Sequence, residues 1–113
     1  MPSALKTIIF PVADLASAKG VLAALLGSAP VVDQPYYVQF NDGEQEIGLD
    51  PNGASKGMTG PVPYWHVSDI KQTLQDLVAS GAREDQPIND FGGRLVASVR
   101  DADGNPIGLI QPA

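Results

Sequence analysis

A chain of 113 residues without a single cysteine has no disulfide framework, thiolate metal site or cysteine nucleophile to offer, and its length sets one domain, residues 1–113, as the expectation. Thirteen acidic against seven basic side chains give a formal net charge of −6, which opposes phosphate backbones and excludes nucleic acid as an expected partner. No run approaches the roughly 18 apolar residues of a membrane span, and residues 1–6 show no secretion signal, so no membrane partner and a cytoplasmic location are expected.

Leu5 to Val12 is rich in β-branched and aromatic residues and predicts a strand, with Ile8, Phe10 and Val12 on one face and Thr7, Ile9 and Pro11 on the other. Asp14 is a good N-cap, and Leu15, Ala18, Leu22, Leu25 and Leu26 recur at helical spacing up to a stop at Gly27. Gly20 in mid-helix costs up to about 1 kcal/mol relative to Ala, so it predicts close packing against the sheet. Pro30 to Gln34 reads as a short strand and Tyr36 to Asn41 as a clear one. Asp42-Gly43 marks a hairpin, and Glu44 to Asp50 returns as its partner. Pro51 to Gly60 is a loop on composition, all breakers and small polar residues.

The pattern then repeats. Val62 to Val67 predicts a strand with Val62, Tyr64 and His66 on one face and Pro63, Trp65 and Val67 on the other. Asp69 caps a second helix with a buried stripe of Ile70, Thr73, Leu74, Leu77 and Val78, stopped by Gly81. Arg83 to Asn89 is a strand interrupted by Pro87. Phe91-Gly92-Gly93 is a turn or a mobile loop, Arg94 to Arg100 a strand, Asp101 to Asn105 a turn, and Pro106 to Gln111 the last strand. Val12-Ala13-Asp14-Leu15 returns as Val67-Ser68-Asp69-Ile70, and Ile47-Gly48-Leu49 returns as Ile107-Gly108-Leu109. The chain is one strand–helix–three-strand unit written twice, with module one over about 4–51, a linker over about 52–60 and module two over about 61–112.

With both modules laid out, the chain resembles the vicinal oxygen chelate superfamily: glyoxalases, bleomycin resistance proteins and extradiol dioxygenases. The likeness rests on the two Val-x-Asp-apolar strand ends, on Leu25-Leu26-Gly27, and on the closing Asp101-Ala102-Asp103-Gly104-Asn105-Pro106-Ile107-Gly108-Leu109. The resemblance implies an α+β fold in which two βαβββ modules form a cupped, eight-stranded mixed sheet with the helices outside. It also implies a homodimer, with a small organic ligand in the cup.

Metal-dependent members hold a divalent ion with His, Gln or Glu from the first and last strands of each module. By the resemblance those positions fall here on Thr7, Gly48, Val62 and Gly108, of which Thr is a poor ligand and Val and Gly offer no side-chain donor. Metal-dependent catalysis is therefore not expected, and neither a metal nor another cofactor is assigned. A substitute site from His66, Glu46 and Asp50 lacks a sequence-close His/Glu pair. His66 has the pKa range of a general base, against the plainer reading of a lone histidine in an aromatic strand. No catalytic residue is assigned. The expected ligand-binding residues are Thr7, Ile9, Tyr37, Gly48, Tyr64, His66 and Gly108.

Three functions follow. The first is a metal-free binder in the manner of bleomycin resistance proteins, sequestering an antibiotic or toxic compound in a cup whose floor is enlarged by the two glycines. The second is a glyoxalase-like lyase or other enzyme of the superfamily. The third is a module whose cup is filled by its own side chains, such as Ile9, Tyr64, Phe91 and Ile110.

Overall fold

Residues 4–113 are described by a computed structural model. The elements are β1 (Ala4–Pro11), α1 (Leu15–Leu26), β2 (Val32–Gln34), β3 (Tyr37–Asp42) and β4 (Gln45–Asp50), then β5 (Val62–His66), α2 (Ile70–Ala79), β6 (Arg83–Phe91), β7 (Arg94–Arg100) and β8 (Pro106–Gln111). The chain is α+β, with eight strands in mixed pairing and two helices, and the βαβββ unit occurs twice. Contacts divide it into two compact units, Thr7–Val62 and one built on Pro63–Ala113.

In the first unit the strands lie in the order β2-β3-β4-β1. β3 and β4 pair antiparallel, and β1 lies parallel to β4 with Ile9 opposite Gly48. Val38, Phe40 and Leu49 form the core, covered by α1 through Leu15, Ala18, Leu22 and Leu26. The Asp14 carboxylate accepts from the Ser17 backbone N–H at 3.0 Å. Gly27 ends the helix at φ 65°, a left-handed conformation that costs a glycine nothing.

The second unit repeats the layout as β5-β8-β7-β6, with β5 parallel to β8 and Tyr64 opposite Gly108. Its core is Val67, Ile70, Leu74, Ala97, Val99 and Leu109, and Trp65 packs against it, as its place on the Val67 face predicts. Asp69 caps α2 by accepting from Gln72 N–H at 3.1 Å, and the Gln111 side chain accepts from Ile70 N–H at 2.9 Å, tying the helix start to β8. β6 runs two residues beyond its expected end, to Phe91, because register shifts absorb the interruption around Pro87. Gly92 and Gly93, both at positive φ, then make a turn rather than a mobile loop.

Three packing expectations are corrected. Leu25 is 75% exposed and Val78 46%, so neither belongs to a buried stripe. Gly20 does not mark close packing against the sheet: it is exposed, and a Cβ built there would meet nothing within 4 Å. α1 is apolar on all sides, so counting apolar residues at helical spacing does not single out the face that packs. No helix of the described residues is long and apolar enough to cross a membrane.

Candidate functional site

Each sheet half has one face under its helix and one face without. Alternation along β1 sends Phe10 toward α1 and Thr7 and Ile9 to the helix-free face; along β3 it sends Val38 and Phe40 to the helix and Tyr37, Gln39 and Asn41 away from it. On β4 the helix-free positions are Glu46, Gly48 and Asp50. The pairing sets Thr7 against Glu46, and Gly48 between Ile9 and Gln39.

That face is polar and tightly hydrogen-bonded. Thr7 has no exposed surface, and its hydroxyl donates to Glu46 Oε1 at 2.7 Å. The Tyr37 hydroxyl donates to Gln39 Oε1 across 3.4 Å, and Gln39 Nε2 donates to Asn41 Oδ1 at 3.2 Å. Gln39 is 8% exposed and would be costly to bury without such partners. At the strand end the buried Asp50 carboxylate accepts from Lys56 Nζ at 2.7 Å and from Asn52 N–H at 2.8 Å, which fixes the loop beyond it.

The central feature is what covers Gly48. A Cβ built on it would lie 2.8 Å from Cε1 and Cζ of Tyr37, well inside contact distance. The tyrosine ring therefore lies where a side chain at position 48 would stand, and only glycine admits it.

The second unit makes the same arrangement from a different strand. Tyr64 is directly opposite Gly108 on the parallel pair, and a Cβ at 108 would lie 2.6 Å from Tyr64 Cγ. Tyr64 is 4% exposed. On the other side of Gly108 stands Ser98, buried, its hydroxyl oxygen accepting from Gln86 N–H at 3.2 Å. His66 follows two residues along β5, half-buried and opposite Ile110. The glycines do not enlarge an empty floor; in each unit a tyrosine ring occupies the space.

Of the residues expected to bind a ligand, Thr7, Ile9, Tyr37 and Gly48 thus share one face of the first unit, and Tyr64, His66 and Gly108 one face of the second. Gln39, Asn41 and Ser98 belong to the same faces and escaped notice. Counting by twos from Tyr37 would have found the first two.

The donor set does not fit a divalent ion. Thr7 already gives its hydroxyl to Glu46, Val62 is buried and has no donor, and Gly48 and Gly108 lie under rings. Among the described residues, no three His, Asp or Glu side chains come together as a metal site. One carboxyl group is clearly perturbed. Asp101 is held below the ordinary range, first by the side-chain amide of Asn105 at 3.0 Å and then by the Asn105 backbone N–H. It is fully exposed and organises the β7–β8 turn.

Neither a family model nor a curated protein sequence matches the chain significantly. Solved structures do. A protein from Legionella pneumophila described as an NAD-dependent benzaldehyde dehydrogenase has a TM-score of 0.80 at 14% identity, covering 99% of this chain and 100% of the other. A glyoxalase/bleomycin resistance protein/dioxygenase superfamily member from Vibrio splendidus 12B01 gives 0.68 at 14%, covering 99% and 100%. Methylmalonyl-CoA epimerase from Mycobacterium tuberculosis gives 0.72 at 20%, covering 97% and 88%. The last two are vicinal oxygen chelate proteins, and the fold is the one the resemblance implies. Their differing descriptions show that this fold does not by itself name an activity.

Proposed function

We propose that this chain is a vicinal oxygen chelate protein that binds a small organic molecule without a metal, on the helix-free strand faces carrying Thr7, Ile9, Tyr37 and Gly48 in one unit and Tyr64, His66 and Gly108 in the other. Its role is sequestration of an antibiotic or toxic compound by a cytoplasmic homodimer. The observation that carries this is the pair of tyrosine rings seated on Gly48 and Gly108. Two positions that supply ligands in metal-dependent relatives are given over to aromatic surface, which suits stacking of an organic molecule.

The competing reading is an enzyme of the superfamily, a glyoxalase-like lyase or a relative. The likeness to methylmalonyl-CoA epimerase supports it, and His66 and Glu46 are the groups it would use.

The test begins with metal content of the purified protein and thermal shift with nickel, zinc, manganese and cobalt, followed by a thermal-shift screen of aromatic antibiotics. No stoichiometric metal, together with a hit whose affinity falls at least tenfold in Tyr37→Ala, supports the binder. A bound metal at one per chain with a shift of several degrees, or turnover lost in His66→Ala with the fold retained, overturns it in favour of the enzyme.

A further inference from the structure

The duplicated module supplies its own control for reading the outer faces of the helices. In α2 the exposed positions include Lys71, Gln72, Gln75 and Asp76, the solvated face of an ordinary amphipathic helix. In α1 the exposed positions are Ala16, Ser17, Gly20, Val21, Ala24 and Leu25, without one charge among them. Lys19, the only charged residue of α1, is half-buried and turned to Asp33 at 3.1 Å. Val21 is 64% exposed and Leu25 75%. Nothing within the chain accounts for Gly20, since the space above it is open.

From this pattern we infer that the outer face of α1 is a self-association surface, on which a second copy of the chain packs α1 against α1. The choice of a second copy rests on self-complementarity. A two-fold contact must offer the same patch to itself. Here Ser17, Val21 and Leu25 form a ridge at spacing of four, and Ala16, Gly20 and Ala24 form a groove of small residues beside it. Two such helices related by a two-fold axis place each ridge in the other's groove, the commonest helix packing class. Gly20 then has a purpose, since it lets the facing backbone come close. Charge points the same way: two copies at −6 each repel, and they meet with least opposition where both surfaces are uncharged.

One crossing of a helix about 18 Å long falls short of the roughly 800 Å² per partner of a standard stable interface, so the dimer is weak, with a dissociation constant on the order of 10 μM to 1 mM. This inference stands apart from the ligand-binding proposal.

The experiment is sedimentation equilibrium of the full chain from about 5 μM to 1 mM. It compares the wild type with Val21→Glu/Leu25→Glu on α1 and Gln72→Glu/Gln75→Glu on α2. Both variants add the same charge at exposed positions, and circular dichroism checks their folds. The wild type and the α2 variant should rise toward twice the monomer mass, and the α1 variant should stay monomeric throughout. Four results overturn the inference: a monomeric wild type over the whole range, an α1 variant that associates like wild type, equal loss of association in both variants, or a monomeric wild type that co-sediments with phosphatidylcholine–phosphatidylglycerol vesicles, which would assign the face to a bilayer.

Discussion

Replacing Gly108 by alanine adds one methyl group at the most crowded point of the second unit. The new Cβ would stand 2.6 Å from Tyr64 Cγ, where ordinary contact begins near 3.4 Å. The ring must therefore give by the better part of an ångström. It cannot do so by swinging its tip, because the clash is at the root of the ring and Tyr64 is 4% exposed. Overpacking of this kind costs about 1–3 kcal/mol. Alanine in an open strand position would otherwise gain about 0.5–1 kcal/mol over glycine, so any net loss belongs to the ring. A double-mutant cycle isolates it. Tyr64→Ala alone costs about 3 kcal/mol or more as a cavity. In that background Gly108→Ala should be neutral or mildly stabilising, a coupling of about 1–3 kcal/mol. Urea unfolding measures all four proteins, and each kcal/mol should move the melting temperature by about 4 °C. A Gly108→Ala protein within about 0.5 kcal/mol of wild type, or costs that simply add, would refute the seating of Tyr64 on Gly108.

Two further outcomes are expected. Asp50→Ala should cost about 1–3 kcal/mol, because it strips a buried acceptor from Asn52 N–H and Lys56; limited proteolysis within residues 51–60 should quicken in step, and an unchanged cleavage rate would count against the role given to Asp50. Asp101 is more acidic folded than unfolded, so its contribution is present above the ordinary carboxylate pKa and fades as pH falls through the lower folded value; Asp101→Ala should flatten the acid limb of the stability profile below about pH 4 and change its shape little near neutrality.

Local chemistry was legible in the chain, and distant contact was not. The caps at Asp14 and Asp69, the stop at Gly27 and the repeat itself depend on residues a few positions apart, and the structure has them where the sequence placed them. Leu25 was assigned to the core because a helix apolar all round carries no phase for the eye to follow. The fit of Tyr64 to Gly108 needs the register of a parallel strand pair, which no local signal encodes. A signal did exist: glycine within an apolar strand marks close approach by some other group. At Gly48 and Gly108 it was read only as a missing donor, and the approaching group turned out to be an aromatic ring in each case.

The two rings reach their glycines by unrelated routes, Tyr37 from β3 and Tyr64 from β5, so the copies have diverged in mechanics. Tyr37 meets position 48 with the far end of a half-buried side chain, while Tyr64 meets position 108 with the base of its ring. One is a hinged shutter that a rotamer change can swing aside; the other is a fixed pane. A chain built by duplication has thereby acquired a left and a right hand, and a molecule arriving at its sheet meets one wall that yields and one that holds its shape.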